Sequence, residues 1–177
     1  MIIVRDPRNV ITSLMNHYSI NEKEALEMIK STYRNLKDKN DTDNYASYSF
    51  ISSWSKNYNS WKNSNIKDKL FIKYEDLEKD AKGTFEKIIQ FTNKLLNNKK
   101  EVDKRKLSKS IKSTNFSKLK KMEKSKGFDE ASFSSDGTRK TFFNLGKDND
   151  YKKLLSSETT IELEKFFYKE MSELEYL

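Results

Sequence analysis

Ile2-Ile3-Val4-Arg5-Asp6-Pro7-Arg8-Asn9-Val10-Ile11-Thr12-Ser13 opens the chain, and its reading decides the architecture. Three consecutive β-branched residues suit a short strand. Asp6 can cap a helix, and Pro7, with its preset φ and no N–H to satisfy, fits a first helical turn. The strand therefore runs directly into a helix, with Arg5 at the junction. A helix N-terminus offers N–H groups and the positive end of a dipole, so an anion is stabilised there before any side chain contributes. By itself such a junction also reads as a salt-bridged turn.

The pattern recurs further along. Leu70-Phe71-Ile72-Lys73-Tyr74 reads as a buried strand, and residues 75–93 place Leu77, Phe85, Ile88, Ile89 and Phe91 at helical spacing. Repeated strand-then-helix order favours α/β layering with parallel strands. Elsewhere the spacing predicts a helix over 21–36 (Ala25, Met28, Ile29, Tyr33, Leu36), a polar loop over 37–44, and one long helix over 45–62 carrying Tyr48, Trp54, Tyr58 and Trp61. Residues 101–111 read as a helix, and Ser113 to Phe116 as a cap before a short helix through Met122. Residues 124–139, rich in Gly and Ser, read as a flexible segment; 158–171 read as a last helix with Ile161, Leu163, Phe166 and Phe167 on its apolar side.

The 177 residues suit one domain, and 22 aromatic residues argue against disorder although charged residues (35%) slightly outnumber hydrophobic ones (34%). The formal charge is +8, and 30 of the 35 basic residues are lysines. That excess reads as diffuse, a solvated surface of a Lys- and Asn-rich chain and not a nucleic-acid face. Cysteine is absent, which excludes disulfides and thiolate chemistry, and no apolar run is long enough to cross a bilayer. A reducing cytoplasm fits best.

Read in order, the motifs resemble the sulfotransferase family, whose members transfer a sulfuryl group from 3′-phosphoadenosine 5′-phosphosulfate (PAPS) to an acceptor. That family carries an Arg-x-Pro turn after a strand and a serine eight residues past the arginine, here Arg5 and Ser13. The resemblance gives both to the nucleotide's 3′-phosphate. Ser53-Trp54 and Trp61 resemble the family's Ser-Trp…Trp helix, with both tryptophans expected in the core. Tyr74-Glu75-Asp76 matches its Tyr-Glu-Asp motif, giving Tyr74 the adenine. Thr114-Asn115-Phe116 is similar to Thr-Ser-Phe, giving Thr114 and Phe116 nucleotide contacts. Gly146 and Asp150-Tyr151-Lys152 keep the spacing of the family's Arg-Lys-Gly…Asp-Trp-Lys segment. Asn144-Leu145 stand where the Arg-Lys pair belongs, and Arg139-Lys140, five residues earlier, are candidate substitutes as phosphate contacts.

The resemblance implies an α/β, helix-rich, partial P-loop nucleoside-triphosphate-hydrolase-like fold with a small parallel sheet, as a single incomplete domain over 1–177. It implies PAPS as donor, no metal, and a small-molecule, carbohydrate or peptide acceptor with a hydroxyl or amine. It places no catalytic residue in this chain. The family's phosphosulfate loop, with Lys, Gly and Thr, has no counterpart here, nor does its catalytic histidine; the sole histidine, His17, reads as a packing residue on the first helix. The expectations are therefore a nucleotide-binding half, inactive alone, that either self-associates or meets a partner chain supplying the rest, with a noncatalytic nucleotide-binding remnant as the alternative.

Overall fold

The computed structural model describes residues 1–37, 48–129, 133 and 137–177. The expected loop over 37–44 and the start of the expected helix at 45 lie largely outside these residues, as does much of the expected flexible segment. Two compact units are present: residues 1–5, 17–19 and 66–150 form the first, and residues 6–16, 20–65 and 151–177 the second.

The first unit is built on two strands, β1 (Ile2–Val4) and β4 (Phe71–Lys73), paired in parallel with Val4 opposite Lys73. Val4 and Ile72 are buried, whereas Ile3 is 51% exposed on the opposite side of the pleat. After β4 the expected single helix is two. α4 (Tyr74–Lys79) ends at Asp80, whose φ of −142° leaves the helix, and α5 (Ala81–Leu95) begins with the Asp80 carboxylate accepting the Gly83 N–H at 2.9 Å. An aspartate competes with the helix for its own backbone, which is why a break falls inside an unbroken apolar period. Then come α6 (Lys104–Ser113), capped by Asp103, and α7 (Phe116–Lys126), capped by Asn115. A 3₁₀ turn at Gly146–Asp148 closes the unit.

In the second unit α1 (Pro7–Tyr18) starts as expected: the Asp6 carboxylate accepts the Arg8 N–H at 2.9 Å and the Asp6 carbonyl accepts from Asn9 and Val10. α2 (Glu22–Lys30) carries a reciprocal capping box between Asn21 and Glu24 but stops six residues short of the expected end. The chain turns instead into β2 (Asn35–Lys37), antiparallel to β3 (Tyr48–Phe50), and Tyr33 stands 86% exposed. The Arg34 carbonyl accepts the N–H groups of Ile51 and Ser52, a long-range pairing that spacing alone does not reveal. The expected helix over 45–62 is thus a strand and then α3 (Trp54–Lys62), separated by Ser52 at φ +62° and capped by Ser53.

α8 (Tyr151–Leu154), α9 (Ser157–Phe166) and α10 (Tyr168–Glu173) complete this unit. Its core is Ile11, Leu14, Ala25, Leu26, Ile29, Leu163, Phe167 and Met171, with Trp54 tilted against Phe167. Of the last helix's expected apolar side, Leu163 and Phe167 are buried while Ile161 and Phe166 face outward. Trp54 joins the core as expected; Trp61 does not, being 44% exposed. Among the described residues no helix is long and apolar enough to cross a membrane.

Candidate functional site

Parallel strands β1 and β4 end side by side, so the residues that follow them, Arg5 and Tyr74, emerge together at the carboxyl end of the sheet. In open α/β sheets that end is where ligands bind, because loops and helix N-termini converge there. The Arg5 guanidinium carbon lies 4.3 Å from the centre of the Tyr74 ring, a cation–π contact that orients a half-buried cation without neutralising it. One turn into α4, the Glu78 carboxyl lies in the field of Arg5 and of Lys147. Burial, supported by the neighbouring Glu75, raises it above the ordinary carboxylate range although both cations pull the other way.

A second cluster surrounds Gly146. Its φ of +57° is left-handed, and a Cβ there would lie 2.6–2.8 Å from the Phe116 ring, so the ring packs directly on glycine backbone. Phe116 also meets Phe143 edge to face at 6.0 Å. Thr114 ends α6, exposed, with its hydroxyl donating to the Ser110 carbonyl at 2.9 Å.

α7 holds segment 142–146 by three side chains on one face. Phe116 covers Gly146, the Lys120 ammonium donates to the Asn144 carbonyl at 2.6 Å, and the buried Glu123 carboxylate accepts the N–H groups of Phe142 (2.6 Å) and Phe143 (2.9 Å). Glu123 and Lys120 were not singled out from the sequence. Their spacing of four and seven from Phe116 was the available signal, since it places all three on one helical face.

Arg139 does not stand open toward an anion. Its guanidinium packs over Gly127 and donates to the Phe128 carbonyl; Lys140 is half-buried beside it.

Ser13 belongs to the second unit, two turns into α1, where its hydroxyl donates to the Asn9 carbonyl at 3.1 Å. The turn that starts α1 is held by Arg8, buried and bonded to the Asp6 carboxylate (2.6 Å), the Glu164 carboxylate (2.5 Å) and the Tyr176 carbonyl (2.7 Å), with its guanidinium over Tyr151. Asn9 accepts the Tyr151 N–H at 3.2 Å. The salt-bridged turn is therefore real, and Arg8 makes it. His17 is partly buried and meets Tyr18 edge to face at 4.7 Å.

Comparison with known proteins bears on all of this. Three solved structures share the fold. One is a mouse sulfotransferase, SULT7A1, complexed with PAP, at 20% identity and a TM-score of 0.62, over 96% of this chain and 56% of that one. The others are two structures of retinol dehydratase, one with androsterone and inactive cofactor PAP and one with retinol and PAP, each at 21% identity and a TM-score of 0.63, over 96% of this chain and 46% of theirs. The chain thus spans about half the length of the structures it matches. No functionally curated protein matches the sequence significantly. The sulfotransferase-domain family model, in contrast, aligns with residues 1–175, nearly end to end. The strand-Arg-Asp-Pro-helix opening and the Tyr-Glu-Asp strand end thus fall inside a sulfotransferase domain, and the chain belongs to that family.

Proposed function

We propose that residues 1–177 are one incomplete sulfotransferase domain that grips the nucleotide of PAPS, and that the intact enzyme moves its sulfuryl group to an acceptor hydroxyl or amine. The observation that carries this reading is the pairing of Arg5 with Tyr74 at the carboxyl ends of two parallel strands. Arg5 and Ser13 take the 3′-phosphate, the guanidinium by charge-assisted hydrogen bonds. Tyr74, Phe116 and Thr114 take the adenosine, and Gly146 offers a backbone N–H. Its left-handed geometry and the absence of a side chain support that role. Lys140 remains a candidate phosphate contact; Arg139 becomes one only by leaving the Phe128 carbonyl.

The reaction needs more than this grip. The sulfuryl group must be polarised and the acceptor deprotonated. No Gly-Lys-Ser/Thr segment occurs among these residues, and the one histidine packs on Tyr18. These residues are therefore inactive alone, and either a further part of the protein or a partner chain supplies the loop and the base. The acceptor is a small molecule, carbohydrate or peptide, and the working compartment is the cytoplasm. A noncatalytic nucleotide-binding remnant is the second reading, favoured by the same missing groups.

Calorimetric titration with adenosine 3′,5′-bisphosphate tests the grip. Binding that weakens at least about tenfold in Arg5→Ala and in Ser13→Ala supports it. Unchanged affinity in both variants sinks the phosphate assignment. Sulfuryl transfer that appears only when a chain carrying the Lys/Gly/Thr loop and a histidine is added separates a split enzyme from a remnant.

A further inference from the structure

The positive charge of this protein is not diffuse. Residues 99–126 hold twelve Lys and Arg against three carboxylates, a net +9, so the other 149 residues together carry −1 of the chain's +8. All twelve cations are exposed. α6 contains no acidic residue, and the one acid of α7, Glu123, is turned inward onto the N–H groups of Phe142 and Phe143. Asp103 is engaged in capping α6. The outward sides of both helices are cationic with no carboxylate among them. A general abundance of lysine does not explain this, because outside the stretch cations and carboxylates balance. Like charges crowded together repel, and an anionic partner relieves that repulsion.

The neighbouring apolar residues indicate which anion. At the end of α5, which packs against α6, Leu95 is 49% and Leu96 70% exposed, immediately before Lys99 and Lys100. Met122 is half-exposed between the lysines of α7. Eleven of the twelve cations are lysines, hydrated point charges that need no planar partner, and only Arg105 offers a fork. Phosphate forks and aromatic platforms, which serve a nucleic acid, are scarce here; exposed leucines beside a lysine cluster serve a lipid interface.

We propose that residues 95–126 form a peripheral docking surface for an anionic lipid bilayer, with the α6 and α7 lysines against phosphate headgroups and Leu95 and Leu96 entering the interface. This inference stands independently of the nucleotide assignment.

The test is co-sedimentation of the full chain with vesicles of phosphatidylcholine alone and with roughly 30% phosphatidylserine, at about 0.1 M salt. The protein should prefer the phosphatidylserine vesicles by more than about tenfold, and each of Lys109→Gln, Lys112→Gln, Lys121→Gln and Lys124→Gln should weaken that binding up to about fivefold. Leu95→Ser/Leu96→Ser should weaken it severalfold at unchanged net charge. These positions are exposed, so circular dichroism should be unaltered. No preference for phosphatidylserine, or an unaltered preference in the leucine variant together with equal or tighter binding to duplex DNA, overturns the proposal.

Discussion

Arg5 and Tyr74 leave adjacent parallel strands and meet at once, guanidinium carbon 4.3 Å from ring centre. The ring fixes the direction of a charge whose planar fork suits phosphate oxygens. Arg5→Lys retains the charge and loses the fork. It should bind adenosine 3′,5′-bisphosphate about tenfold more weakly than the parent and more tightly than Arg5→Ala, measured by calorimetry. Tyr74→Phe, which keeps the ring, should stay within about threefold of the parent, and Tyr74→Ala should not.

Gly146→Ala should destabilise the chain by about 1–3 kcal/mol, because a left-handed φ and a ring within 2.8 Å of the new methyl act together. Repeating the substitution in Phe116→Ala should lower that cost, leaving only the backbone part. Urea unfolding of the four proteins in this cycle measures the coupling, and strict additivity would contradict direct ring-on-backbone packing.

Glu123→Ala leaves two inward N–H groups without their acceptor and should cost about 1–3 kcal/mol in urea unfolding. Glu123→Gln can still accept one of the two bonds and should cost less. If segment 142–146 presents Gly146 to the nucleotide, both variants should also weaken bisphosphate binding.

The Glu78 carboxyl, raised by burial, titrates above the usual carboxylate range beside Arg5 and Lys147. A raised folded value favours the protonated form, so its contribution to stability is present below the ordinary carboxylate range and is lost as pH rises through the folded value. Protonation also removes a negative charge near the proposed phosphate site. Glu78→Gln should therefore tighten bisphosphate binding by about threefold at a pH where Glu78 is ionised, and the gain over the parent should vanish as pH falls below the folded value.

Most of what positions the candidate site was legible in the sequence because it is encoded locally. Three β-branched residues, a capping aspartate and a first-turn proline specify β1 and α1 with no distant contact, and Asn115 specifies the start of α7 in the same way. The failures were long-range. Residues 31–36 carry helical spacing, yet the Arg34 carbonyl is taken by Ile51 and Ser52, and Ser52 adopts a left-handed φ that no periodicity encodes. Asp80 interrupts a continuous apolar pattern because a cap can outweigh a period. The Arg8 node was invisible for the same reason, since its partners Glu164 and Tyr176 are separated from it by most of the chain.

α7 has two faces in one register. Phe116, Lys120 and Glu123 read the backbone of 142–146, while Lys118, Lys121 and Lys124 point their charge to solvent. Side chains on either face can be rewritten without disturbing the other. A one-residue insertion between Phe116 and Lys120 cannot be absorbed so simply: it turns everything beyond it by about 100° and carries Lys120 and Glu123 off the face that meets 142–146. The helix should thus accept recoding of Lys118, Lys121 and Lys124 and refuse a change of length.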